Sequence, residues 1–301
     1  MLLRASKPTL TPVGLHHGET VRFTRRDGRA WELTLRETGA EVLARDYARL
    51  GNRDTGHGTG DISAYAFSAT VRVNGHDYTL RREVATPASF YEPAEIDGVH
   101  LWLDATACIF DHAGGFMVEK DWRGGLLCAP DHAARFVLHE ADLPPCPEPL
   151  QPWYPNPTGR LDIRACYHGE DCWMGPYGGI AAHCGLDINM PAGTILTAPL
   201  ALDDHYLFNS TAAGFNNNRW RGRRRWPDGA EWWLQTAHQI DLLAPEHTPL
   251  PTGAPYATAA GVWVGDFEHT HFNFRVLEQG GDYMLDPWIL FWEIFRVGGA
   301  G

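Results

Sequence analysis

The sequence predicts a mainly β protein in two parts, an N-terminal antiparallel β-sandwich or barrel and a C-terminal antiparallel β domain. Three observations predict this. Short apolar–polar alternations recur along the chain, punctuated by Gly, Asn-Gly and Asp-Gly turns. Long amphipathic helical stretches are scarce. Seven prolines fall between Pro144 and Pro157, near the middle of the 301 residues. Proline removes backbone donors and restricts its neighbours, so this stretch is neither a central strand nor a helix.

In chain order, residues 1 to about 14 are expected to be an irregular lead-in. Val21–Thr24 and Trp31–Leu35 alternate around an Asp27-Gly28 turn. Leu43 to Ile62 is polar and glycine-rich, which predicts a loop. Ala69–Val73 and Tyr78–Arg81 flank Asn74-Gly75, the strongest hairpin signal present. Val99–Leu103 and Arg135–Leu138 are further strands. After the prolines come Thr194–Ala198, Glu231–His238, Ala259–Val264, a strand through His269–Leu277 and, past Gly280-Gly281, Tyr283–Pro287. The expected organisation is a β-rich accessory domain over 1–143, a proline-rich linker over 144–157 and a second domain over 158–301. The alternative for the linker is an extended segment strapped across one domain.

Composition narrows the function. Hydrophobic content of 44% and charged content of 21% support packed cores. A formal charge of −12 excludes a typical nucleic-acid binder, whose affinity comes from basic neutralisation of phosphates. No apolar run approaches the roughly 18 residues of a transmembrane span. The apolar start, Met1-Leu2-Leu3, is too short for a secretory signal, so the protein is expected either to stay inside the cell or to carry its signal outside this chain. The six cysteines form no Cys-x-x-Cys pair, which disfavours a cysteine-based zinc site. Cys166 and Cys172 are near enough in sequence to pair in an oxidising setting, although spacing alone does not fix the geometry.

The chemistry-bearing stretch is Glu268-His269-Thr270-His271-Phe272-Asn273-Phe274. In a strand, His269, His271 and Asn273 share one face, and Thr270, Phe272 and Phe274 share the other. Two imidazoles then face a common site while the phenylalanines fill a core. About one His-x-His pair arises by chance in a chain with 15 histidines, so partners decide its meaning. His183-Cys184-Gly185-Leu186-Asp187 supplies a second His and a carboxylate. Two other pairs at this spacing, His57/Asp61 and His100/Asp104, lack its context, which is an apolar strand followed by Pro191-Ala192-Gly193-Thr194-Ile195-Leu196-Thr197-Ala198.

These stretches resemble the lysostaphin/LytM-type zinc metallopeptidases. His183–Ile188 and the Gly193–Ala198 strand look like the first zinc motif of that family. Leu234–His238 is similar to its second element, and His269–Arg275 to its third; Gly280-Gly281 and Asp286-Pro287 also fit. The elements occur in the family's order over about residues 160–292. Three features depart from the pattern: Asn273 where the family often has Glu, Cys184 between ligand and glycine, and a longer, more irregular stretch over 199–230.

The resemblance implies a lysostaphin-type antiparallel β metallopeptidase domain with one catalytic Zn2+ held by His183, Asp187 and His271. It implies that His269 is the general base and that His238 assists the tetrahedral intermediate or the proton transfer. It implies hydrolysis of amide bonds in peptidoglycan stem peptides or cross-bridges, and an extracytoplasmic location. Relatives in the family that use the fold without hydrolysis suggest the alternative, a cell-wall-binding or regulatory module. An enzyme acting on a non-wall peptide is a third reading. Two imidazoles and a carboxylate suit zinc and leave a position for water. No His-Glu-x-x-His supplies a glutamate base, so proton work falls to the other histidines. The basic aromatic run Arg219–Trp226 is expected either to grip carboxylates or to form a solvated loop tip. His16, His17 and His57 are expected to be surface residues.

Overall fold

The computed structural model describes residues 1–46, 62–84, 92–107, 109–111, 115–117, 131–155, 176–177, 181–182, 185–209, 218–260 and 269–298. The chain is mainly β, in several antiparallel sheets. It divides into two compact units: Met1–Pro147 with His168–Cys184, and Glu148–Tyr167 with Gly185–Gly301.

The first unit contains β1 (Leu2–Ala5), β2 (Thr11–Leu15), β3 (Thr20–Thr24), β4 (Ala30–Asp46), β5 (Ile62–Val73) and β6 (His76–Val84). It continues with β7 (Ala94–Ile96), β8 (Val99–Thr106), β9 (Ile109–Asp111), β10 (Gly115–Met117), β11 (Ala134–Glu140), β12 (Pro176–Tyr177) and β13 (Ala181–Ala182). One sheet runs β1-β3-β4-β5-β6 and another β2-β11-β8-β7. Alternation buries Val21 and Phe23, then Trp31, Leu33 and Leu35, while their neighbours face water. The β5–β6 hairpin turns on Asn74 and Gly75, both with positive φ (47° and 91°), as a type I′ turn requires. Among the buried apolar residues lies an ion pair, Arg135 Nε to Asp104 Oδ2 at 2.6 Å.

Two sequence expectations are corrected here. The first 14 residues are not an irregular lead-in, because they hold β1 and β2. β1 pairs in parallel with β3, and β2 lies against β11 with Thr11 opposite Leu138. The loop expected from Leu43 to Ile62 is strand at both ends, since β4 continues past Leu35 to Asp46 opposite Ile62 of β5, and residues 47–61 lie outside the described residues.

The second unit contains β14 (Leu186–Asn189), β15 (Ile195–Thr197), β16 (Asp204–Asn209), β17 (Asn218–Arg225) and β18 (Glu231–Leu242). It ends with β19 (Pro255–Ala259), β20 (His269–Glu278), β21 (Gly281–Leu285) and α1 (Trp288–Gly298). Eight strands form one antiparallel sheet with the path β14-β20-β18-β17-β16; β19 also joins β18, β15 joins β19, and β21 joins β20. One face of this sheet is a core built from Trp220, Trp232, Phe272 and Phe274. Helix α1 covers it, with the Phe291 ring 5.7 Å from that of Phe272. Pro152–Tyr154 also fastens to this unit. Thr197 N–H and Oγ donate to the carbonyls of Trp153 and Pro152 at 3.0 and 2.8 Å, and the Trp153 ring meets Phe272 edge-on at 4.9 Å. With one face so covered, the opposite face stays half-open.

Among the described residues, no helix is long and apolar enough to cross a membrane. Of the six cysteines, Cys146 is buried, and the other five, including Cys166 and Cys172, lie outside the described residues.

Candidate active site

Strand β20 sets the half-open face. Thr270, Phe272, Phe274 and Val276 are fully buried, whereas His271, Asn273 and Arg275 between them are half-buried. The alternation expected of the His-Thr-His stretch is therefore present in the strand. On one side β14 runs antiparallel, with Asp187 directly opposite His271 and Asn189 opposite His269. On the other side β18 places Ala237 opposite His271, so the row across the strands is Asp187, His271, Ala237.

Gly185, just ahead of β14, lies hard against this row. A Cβ on it would fall 2.4 Å from the Phe272 carbonyl oxygen and 2.6 and 2.7 Å from Cε1 and Nε2 of His271. Only glycine lets the chain pass so close to the imidazole. Sequence reasoning quoted this glycine as part of a motif but missed the contact that requires it. His183 and Cys184 lie outside the described residues, as does His57.

His238 reaches the site by a different device. Strict alternation from Ala237 would send it to the core face. Between the pairs Arg219↔Ala237 and Asn218↔Gln239, β17 advances one residue and β18 advances two, so His238 is the extra residue of a β-bulge. Its φ is +67°, left-handed and strained for a residue with a Cβ. The Ala260 N–H donates to its carbonyl at 2.8 Å and holds the bulge in place. The result is an edge-on contact with His269, ring centroids 4.8 Å apart at 85°. Both rings are largely withdrawn from solvent, with His269 3% exposed and His238 9%.

The half-open face continues away from these histidines. The cross-strand row Arg221, Gln235, Asn273 lies next, and Arg223, Trp233, Arg275 follows. Arg221 donates to Gln235 Oε1 at 3.2 Å, and the Arg221 and Arg223 guanidiniums sit 5.0 and 5.4 Å from the Trp233 ring. This corrects the reading of the basic aromatic run as a loop tip: it is β17, hydrogen-bonded between β16 and β18, with Trp220 fully buried. Its alternating arginines, at 219, 221, 223 and 225, were the sequence signal for a strand.

Of the three expected zinc ligands, His271 is the one whose side chain is described. The carboxylate-bearing Asp187 stands in register with His271, and the Gly185 backbone leaves the His271 ring unobstructed by any side chain at that position.

No family model and no curated protein sequence matches this chain. Among solved structures, the chain is similar to the catalytic domain of the antimicrobial peptidase lysostaphin from Staphylococcus simulans. That match has 18% identity, 42% of this chain and 91% of that one covered, and a TM-score of 0.32. A putative peptidase M23 from Pseudomonas aeruginosa matches at 11% identity over 96% of this chain and 95% of that one, with a TM-score of 0.29. A zinc-containing peptidase from Vibrio cholerae matches at 11% identity over 87% and 76%, with a TM-score of 0.32.

Proposed function

We propose that residues 158–301 form a zinc-dependent endopeptidase that hydrolyses amide bonds, with peptidoglycan stem peptides or cross-bridges as the substrate. The observation that carries the reading is the pairing of Asp187 with His271 beside the buried His238–His269 contact. On this reading Asp187 and His271 serve as metal donors and the two further imidazoles do the proton work beside them. On the same reading the β-rich residues 1–143 position substrate or regulate access, and the protein works outside the cytoplasm.

His183, Asp187 and His271 would hold the ion. When bound, zinc supplies Lewis-acid polarisation of the scissile carbonyl and lowers the pKa of a coordinated water towards about 7. His269 takes a proton from the attacking water as its oxygen bonds to the carbonyl carbon. His238 hydrogen-bonds the tetrahedral intermediate and assists return of the proton to the leaving amine as the C–N bond breaks. The withdrawal of both rings from solvent keeps competing water from these transfers. The departure at position 273 fits this face, because Asn273 stands in line with Gln235 and Arg221 and offers a neutral amide to a peptide lying there.

The test is to strip the full chain with chelator, reload it with zinc and measure amino groups released from purified peptidoglycan of several cross-bridge types and from short peptides. Release that depends on zinc and is lost in His271→Ala is the expected result. Zinc uptake with no cleavage of any of these substrates would instead mark a binding module.

A further inference from the structure

The turn between β2 and β3 gathers metal-binding side chains that the site above does not use. The Glu19 N–H donates to the His16 carbonyl at 3.0 Å, and Gly18 has φ +83°, the left-handed conformation a type II turn requires at its third position. This turn sets His16 and Glu19 side by side. The His16 backbone N–H donates to Glu19 Oε2 at 2.8 Å, which holds the carboxylate over the turn. His132, just ahead of β11, lies against Gly14: a Cβ there would come within 2.7 Å of Nδ1 and 2.8 Å of Cγ. The His132 Nδ1 meets Asp131 Oδ1 at 2.5 Å, and its ring lies 4.5 Å from that of His16, tilted by 34°. A carboxylate on one ring nitrogen is the arrangement that orients a metal-ligating histidine, and it leaves Nε2 for an ion. One donor atom each from His16, Glu19 and His132 lies within 4.8 Å of the others. His17, by contrast, is turned onto Thr38 Oγ1 at 3.1 Å.

We propose that His16, Glu19 and His132 form a divalent-cation site of the zinc class in the first unit, separate from the peptidase centre. Two imidazoles and a carboxylate are a zinc donor set with a fourth position left for water. With metal–ligand bonds of about 2 Å, donors on one ion stand roughly 3–4 Å apart, so the present spacing closes by side-chain rotation at the turn. His16 follows β2 of one sheet, and Glu19 precedes β3 of the other. A bound ion fastens the two sheets at this corner.

The test is calorimetric titration of the chelator-stripped full chain with Zn2+ alone, in wild type, His16→Ala, Glu19→Gln and His271→Ala. His16→Ala is expected to take up one equivalent fewer than wild type, and Glu19→Gln to bind that equivalent about tenfold more weakly. His16 is exposed, so its variant keeps the metal-free unfolding temperature and loses only part of the rise that zinc produces. Isotherms of His16→Ala and Glu19→Gln that superimpose on wild type overturn the site. His271→Ala separates the two centres. If it binds like wild type while His16→Ala loses an equivalent, the peptidase reading fails and this site stands.

Discussion

At the scale of single residues, the strained backbone of His238 is the most informative feature. A left-handed non-glycine residue costs about 1–2 kcal/mol and persists where its surroundings hold it. His238→Gly removes both the strain and the imidazole. Its stability in urea is expected to match or exceed wild type by about 1 kcal/mol, while turnover falls by about 10²–10⁴. His238→Ala keeps the strain and loses turnover equally. Full turnover in the glycine variant would remove His238 from the chemistry. Gly185→Ala tests the other close approach. Its Cβ would meet a backbone oxygen at 2.4 Å, which no rotamer relieves, so a loss of about 1–3 kcal/mol and weaker zinc uptake are expected by titration. These two residues also mark how far the site was legible. The shared face of His269 and His271 follows from a period of two and is visible in the sequence. The aim of His238 is not, because alternation assigns it the wrong face. Only the residue count of β17 against β18 reveals the bulge.

Legibility at the scale of elements depended on how local the signal was. The Asn74-Gly75 hairpin carries its own turn chemistry, so its strands and register could be read directly. β1 and β2 carry no such signal. β2 is defined by β11, more than a hundred positions further on, and a strand whose partner is that distant has nothing nearby to announce it. Helix α1 was missed for another reason. Its sequence, Trp288-Ile289-Leu290-Phe291-Trp292-Glu293-Ile294-Phe295, is apolar on nearly every side, so no helical period stands out. Its start signal was present in Asp286-Pro287. The Trp288 N–H donates to Asp286 Oδ1 at 2.9 Å and the Ile289 N–H to the Asp286 carbonyl at 3.2 Å, with Asp286 fully buried. Asp286→Ala is expected to lower stability by about 1–2 kcal/mol, and Asp286→Asn by less, since Asn also caps. Equal losses in the two variants, measured by urea midpoint, would show that the cap is not what Asp286 provides. Because α1 covers the core face behind His271, the weakened cap should also raise protease sensitivity at the C-terminal end.

At the scale of the whole molecule, pH acts on the first unit through a histidine far in sequence from the His269–His271 strand. His139 of β11 is 1% exposed, and its Nε2 hydrogen-bonds the Pro144 carbonyl at 2.9 Å. Burial pushes its imidazole down from 6.5 to about 4, and nearby His100 adds to the shift, while the Pro144 carbonyl pulls the other way. The folded chain therefore keeps His139 neutral where the unfolded chain protonates it. Above pH 6.5 the contribution to stability is complete. Between 6.5 and about 4 the unfolded state binds the extra proton and stability falls as pH falls; below about 4 both states are protonated and the loss levels off. The loss amounts to roughly 3 kcal/mol at most. Hydrogen-exchange protection of β8 and β11, corrected for the intrinsic pH dependence of exchange, should drop across this window. His139→Gln cannot titrate and should flatten the drop, even if it starts from lower protection at pH 7. An unchanged slope in that variant would assign the acid sensitivity to other groups. The same comparison on β18 and β20 supplies the control. Those strands belong to the second unit, so their protection should show no His139-dependent slope if that imidazole acts only through its own sheet.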